Sequence, residues 1–419
     1  MTKTKKRLIY ASLFIVVGVL LLQIDDELDP GAEAMLGSIK WNTPNDAYLY
    51  LLGFSAPLGD DPIEAGTQML KEIRSIEARY ESRENDDNLL FKNEGPSIEL
   101  QHCSAFCSVR EPDCLENLFF NNELSLVAPE VEEVKRRYLR FINMTGYRTQ
   151  TIPHIFEPYP EYSNLVKGNR LMSLSAIEEA KTGDPTAAVS ELYRLIEAQK
   201  KFLAEVDNLI GKTIAYVLLN ETVDVLSLIL REYQVKATPI ELLTDEQLSI
   251  DDLVNREFAF VRSSLTRAEL NTKYRHLPNW VIRLAFKPNM TINAALPVYD
   301  NAKRLSKLSM HEFAEIANQT QTLSLETSWV RNAIGSTLNQ IAQIDFKPYI
   351  ARGFDLNAKL ALFNSVLDQR LSEGTRLSIN NPYYNVKQEV EFAKEENRFC
   401  LQGPLEGPRF YRCLTVLRQ

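Results

Sequence analysis

The stretch from Asn208 to Tyr233, NLIGKTIAYVLLNETVDVLSLILREY, decides how this chain is read. It is long enough for about seven helical turns. At 100° per residue, Thr213, Asn220, Asp224, Ser227 and Arg231 share one face, and Ile214, Val217, Leu218, Val225 and Leu228 cluster on the adjoining one. The pattern predicts an amphipathic helix over 208–233. Glu221 breaks the pattern, because it falls in the middle of the apolar face. A carboxylate there must be paired, reach a solvated cavity, or be protonated. A buried carboxylate with a raised pKa can act as a general acid or base, which makes Glu221 the one catalytic candidate. The competing reading is a structural pair with an Arg or Lys of a neighbouring helix.

Working outward, helix starts recur with a common chemistry. Thr43-Pro44, Asp61-Pro62, Asp184-Pro185 and Thr238-Pro239 each place a capping side chain before a Pro. Glu64 and Glu241 follow their caps at capping-box spacing, and Thr244 with Gln247 repeats it. These signals predict helices over 44–52, 62–82, 129–143, 160–181, 185–206, 208–233, 246–269, 291–307, 310–319, 331–344 and 353–373. Residues 160–233 have a helix-turn-helix look, but no 34-residue period repeats elsewhere, so a regular solenoid is not supported. The expected fold is mainly α: an irregular helical bundle over 41–375, with a small antiparallel β-hairpin unit at 376–419. There the β-branched and aromatic content rises.

The N-terminus adds an address. Lys3, Lys5, Lys6 and Arg7 precede an apolar run from Leu8 to Leu22, and Asp25, Asp26, Glu27 and Asp29 close it. Basic flank, apolar run and acidic flank read as a membrane helix with a cytoplasmic N-terminus. Residues 1–7 form the expected cytoplasmic tail, 8–24 the transmembrane anchor and 25–40 a juxtamembrane linker. The run is slightly short of the ~20 residues that span a bilayer. A cleaved signal peptide is therefore the rival, with Ala32-Glu33-Ala34 imitating a cleavage site. The whole chain carries −9; setting aside the four basic residues of the tail leaves −13 on the rest. A pI near 5.3 argues against nucleic acid as a partner, since phosphate binding needs a basic face. The implied partners are the lipid bilayer, through the anchor, and another envelope protein.

An extracytoplasmic compartment makes disulfides plausible. Cys400 and Cys413 lie in β-rich sequence on either side of Gly403-Pro404 and Gly407-Pro408, and are expected to face each other across a hairpin. Closing that loop contributes about 3 kcal/mol on chain-entropy grounds. Cys103, Cys107 and Cys114 form a second cluster. Cys107 with Cys114 is the favoured pair there, and Cys103 with Cys114 the alternative. Metal binding by His102 and these cysteines lacks the usual second pair of ligands.

Catalytic motifs are missing from the linear sequence. His311-Glu312-Phe313-Ala314-Glu315 has the opening of a zinc-protease helix, but Glu315 replaces the second His, leaving a surface helix. There is no G-x-S-x-G, P-loop or G-x-G-x-x-G. No cofactor and no metal are expected. The aromatic stretch Phe156 to Tyr162 reads either as a groove for a peptide or glycan, or as a loop stapled onto the core.

Several segments resemble those of uncharacterised single-pass envelope proteins of Gram-negative bacteria, anchored in the inner membrane. They are Asn45 to Gly53 (NDAYLYLLG) with Ser55-Ala56-Pro57, the Ala180 to Ala187 turn, Asn332 to Leu338 (NAIGSTL), Ala351 to Leu356 (ARGFDL), and Asn381-Pro382-Tyr383. The resemblance implies a single-pass inner-membrane protein with its bulk in the periplasm, and it brings no activity. The functional expectation is a non-catalytic binding or scaffold module of the envelope. An envelope hydrolase with a carboxylate-centred site between helices is the alternative. A Golgi-type glycosyltransferase shares the anchor topology, but no D-x-D metal motif is present.

Overall fold

The computed structural model describes residues 3–41, 43–82, 90–91, 97–98, 128–270, 279–319, 328–341, 344–367, 377–393 and 398–415. Helices dominate, and a small antiparallel β region closes the C-terminal end. Cys103, Cys107 and Cys114 lie outside the described residues, so the pairing expected for them has no structural account.

In chain order the helices are α1 (Lys3–Leu22), α2 (Pro30–Gly37), α3 (Asp46–Leu52), α4 (Pro62–Glu81), α5 (Pro129–Ile142), α6 (Ser163–Thr182), α7 (Pro185–Glu205) and α8 (Leu209–Tyr233). They continue with α9 (Asp245–Leu248), α10 (Asp251–Leu270), α11 (Asn279–Ala285), α12 (Pro288–Ser306), α13 (Met310–Ala317), α14 (Ala333–Ile341) and α15 (Lys347–Ser365). Asp61 and Asp184 cap α4 and α7 by accepting from the N–H groups of Ile63 and Thr186. Thr244 and Gln247 close a reciprocal capping box on α9.

The central element is α8. It packs against α6, α7, α15 and the last strand, and every residue from Leu218 to Leu230 is buried. The expectation of one polar and one apolar face is therefore corrected. Asn220, Asp224 and Ser227 do share a face, but that face meets other elements rather than water. By length and composition α8 is apolar enough to cross a membrane, yet most of it lies inside the protein, where its apolarity builds the core.

Several helix starts differ from the sequence reading, and α15 begins at Lys347 where 353 was expected. Asn45, not Thr43, caps α3, accepting from the Tyr48 N–H at 2.8 Å. The helix expected over 246–269 is two helices, because Ser249 adopts an extended conformation between α9 and α10. Thr238-Pro239 starts no helix. Its backbone is claimed by side chains instead: the Tyr193 hydroxyl bonds both the N–H and the C=O of Thr238. Asn364 does the same for Ile240, and Asn357 for Leu243. A segment whose peptides are satisfied this way gains nothing from coiling.

The stretch 25–40, read as a linker, holds α2, which packs on α10 and α12 and buries Ala32 and Met35. Helices α3 and α4 cross closely because Gly53 and Gly66 meet there; a Cβ on Gly66 would lie 1.9 Å from the Leu49 carbonyl oxygen. The loop that follows α3 is fixed by Arg137 of α5. Fully buried, this residue donates to the carbonyls of Phe54, Ala56 and Pro57 and pairs with Glu133.

At the C-terminus the expected small antiparallel β unit is present, and it comprises two small sheets. Strands β1 (Ser378–Asn381) and β2 (Val386–Glu389) pair with each other. Strands β3 (Glu391–Ala393), β4 (Arg398–Cys400) and β5 (Cys413–Thr415) form the second sheet, in which Cys400 stands opposite Cys413 and is disulfide-bonded to it. A 3-10 helix (Arg409–Arg412) precedes β5, so Phe410 is not in a strand. Phe399, Tyr411 and Leu414 join the same apolar cluster as α8 and α15. The sheet is thus part of the core.

Candidate functional site

Glu221 is 2% exposed and is held by Arg170 of α6 through a bidentate contact, Nη2 to Oε1 at 2.8 Å and Nε to Oε2 at 3.2 Å. Burial raises its pKa; the Arg170 guanidinium opposes the shift. Next to it, Asn169, Gln199, Thr222 and the Tyr138 hydroxyl form a closed polar knot. Of the alternatives read from the sequence, the structure brings Glu221 to a basic neighbour. It lines none of the cavities described below.

One turn along α8, Asp224 has no counterpart among the sequence-derived candidates. Its carboxylate accepts from Lys359 Nζ of α15 at 2.6 Å and from the Thr415 N–H of β5 at 3.1 Å. Lys359 also donates to the Asn220 side chain at 2.8 Å, and burial pulls its pKa down to about 8. The missed signal was Lys359 within the otherwise apolar run Ala358–Phe363 of α15, the same kind of anomaly as Glu221. Both buried carboxylates of α8, Glu221 and Asp224, are thereby neutralised by cations, so each acts as a cross-tie.

A second polar cluster ties the loop 147–162 to α10. The Thr149 N–H and hydroxyl both donate to Asp207, at 3.0 and 2.6 Å. Arg256 pairs with the buried Glu157 and donates to the Thr151 carbonyl. Burial raises the Glu157 pKa, with Arg256 pulling the other way. Tyr162 is buried and hydrogen-bonded to Tyr147 and Asn208, while Phe156 packs edge-on to Tyr80. The aromatic stretch therefore fastens its loop to the body. His154 stacks on Tyr80 with ring centroids 4.4 Å apart, and burial lowers its pKa to about 4.

The candidate binding site is a cleft between α12, α15 and the loop 405–408. One lobe encloses about 670 Å³ and the other about 930 Å³, and both are lined by Asn318, Leu405, Glu406 and Gly407. This is the size range of small-molecule and peptide sites. Asp355 lines the first lobe, and Arg412 lines the second. They contact each other at 3.2 Å, and the Tyr383 hydroxyl donates to Asp355 at 2.8 Å. Burial raises the Asp355 pKa and Arg412 counters it. Further out are Lys347, Arg352, Arg409 and the acidic Asp345 and Glu406. This wall presents charges of both signs. Its two most buried ionic groups are engaged with each other. His311 sits on α13, where it meets the Tyr383 carbonyl at 3.1 Å.

Among the described residues, no group of three or more His, Cys, Asp or Glu side chains is placed to hold a metal ion. The chain matches no protein-family model, no curated protein and no solved structure.

Proposed function

We propose that this is a membrane-anchored binding module of the bacterial envelope, with α1 in the inner membrane, its N-terminus cytoplasmic and the helical body in the periplasm. The apolar side chains of α1 support the anchor. Leu13, Phe14, Ile15 and Val16 stand exposed, and Phe14 reaches 81%. A helix with such a surface is stable in lipid and costly in water.

The observation that carries the binding reading is the Asp355–Arg412 pair on the cleft wall. Those buried ionic groups neutralise each other, while a mixed-charge rim remains open. That arrangement suits recognition of a polypeptide segment of another envelope protein. The hydrolase alternative centred on Glu221 loses support, because that carboxylate is enclosed and paired with Arg170.

The test uses the full-length chain in cells. A photo-crosslinker at Glu406, on the cleft rim, is expected to give one discrete adduct that is absent with the crosslinker at the remote Arg194. The absence of any Glu406-specific adduct overturns the binding reading. Release of the protein from membranes by alkaline washing overturns the anchor.

A further inference from the structure

We propose that the end of the body where α1 enters is a seat for the bilayer surface, with Trp280 and Trp329 lying in the lipid–water interface. This rests on the anchored reading above and adds a second, direct contact between body and membrane.

The segment after α1 is splinted rather than loose. The Asp25 carboxylate caps α12, accepting from the N–H groups of Asn289 and Met290 at 2.9 and 3.1 Å. Asn289 and Asn293 donate to the carbonyls of Asp26 and Glu27. Arg331 pairs with Asp26 at 2.8 Å and donates to the Ile24 carbonyl at 3.1 Å. Only Gln23 separates α1 from Ile24, the first residue so held, and the body cannot stand off from a membrane that holds α1.

Exposed apolar side chains stand beside these polar ties. Trp329 and Val330 adjoin Arg331 in the chain and are 55% and 79% exposed. Ile334, on the first turn of α14, is also exposed. Trp280 opens α11, a helix that packs against both α1 and α14. The other end of α11 runs through Phe286 and Lys287 into the α12 terminus capped by Asp25, which places Trp280 farther along α1. Two of the chain's three tryptophans thus flank the emerging helix. Leu20 and Leu21, in the last turn of α1, are exposed as well. Indole rings favour the headgroup level, where an apolar body and a polar N–H are both accommodated.

The test reconstitutes the full chain in phosphatidylethanolamine–phosphatidylglycerol vesicles. Two single-tryptophan forms are used, each with the other two tryptophans changed to Phe. Brominated phospholipid, with bromine in the upper acyl chain, is expected to remove most of the emission of both Trp280 and Trp329. The seat is overturned if the chain floats with the vesicles while both indoles ignore the bromolipid, whether they are quenched by aqueous iodide or shielded by a second copy. Failure to float after alkaline washing defeats the anchored reading and the seat together. If a single-tryptophan form does not fold, the unaltered chain carries the same test, since Trp280 and Trp329 are its exposed indoles.

Discussion

Lys359 and Asp224 meet at 2.6 Å in the middle of the molecule, with 0% and 2% of their side chains exposed. The pair joins α15 to α8, and the second oxygen of Asp224 holds the β5 backbone at Thr415. Breaking a buried pair from one side leaves an uncompensated charge. Lys359→Met is expected to cost about 3–5 kcal/mol in urea unfolding. The double variant Lys359→Met with Asp224→Leu should recover part of that loss, since neither charge of the pair then remains buried, while the Thr415 N–H still loses its acceptor.

The Arg170–Glu221 pair gives a pH-dependent version of the same test. Arg170→Leu leaves Glu221 buried without its cation, so its pKa rises further. A raised carboxyl pKa favours the folded state at low pH and costs stability as pH rises through it. Arg170→Leu should therefore be destabilised by about 3 kcal/mol at neutral pH, with a smaller deficit in acid. Glu221→Gln should cost less, because the Arg170 charge it leaves is partly open to water. Equal losses at all pH values would show that Arg170 acts by packing alone.

His154 predicts acid sensitivity. Its pKa falls from the ordinary value of 6.5 to about 4, chiefly through burial, with Arg256 and Arg267 adding to the shift. A depressed folded pKa gives stability that is complete above pH 6.5 and lost as pH falls through 4. The contribution is about 3 kcal/mol. His154→Phe keeps a ring against Tyr80 and cannot titrate. Its unfolding free energy should vary less between pH 6.5 and 4 than that of the unaltered protein.

Gly66 lies where α4 touches the backbone of α3. A Cβ there meets the Leu49 carbonyl oxygen, which cannot rotate away as a side chain would. Gly66→Ala should destabilise by about 2 kcal/mol, despite the better helix propensity of Ala. Thermal unfolding of the purified body reads this directly. An unchanged or raised midpoint would mean that the two helices separate easily.

Much of the architecture follows from local sequence chemistry. The Asp-Pro caps start α4 and α7, the Thr244–Gln247 box starts α9, and the long apolar stretch makes α8. The sequence also determined that Cys400 and Cys413 lie in β-rich segments able to face each other, and that a basic, apolar and acidic series opens the chain. These are short-range facts, set by hydrogen bonding and periodicity within a few residues.

Tertiary structure alone decided the partners. The partners of the buried α8 carboxylates are not legible in sequence: Lys359, 135 residues away, takes Asp224, and Arg170 takes Glu221. Thr238-Pro239 carried a helix-start signal, but Tyr193, Asn357 and Asn364 captured the neighbouring peptides first. The acidic residues after α1 read as a membrane flank, and folding also made Asp25 the cap of a helix that begins at Pro288. Burying a charge or a peptide group requires a partner, and the chain can bring one from any distance. Sequence shows where such a partner is needed; only the packed structure shows which residue supplies it.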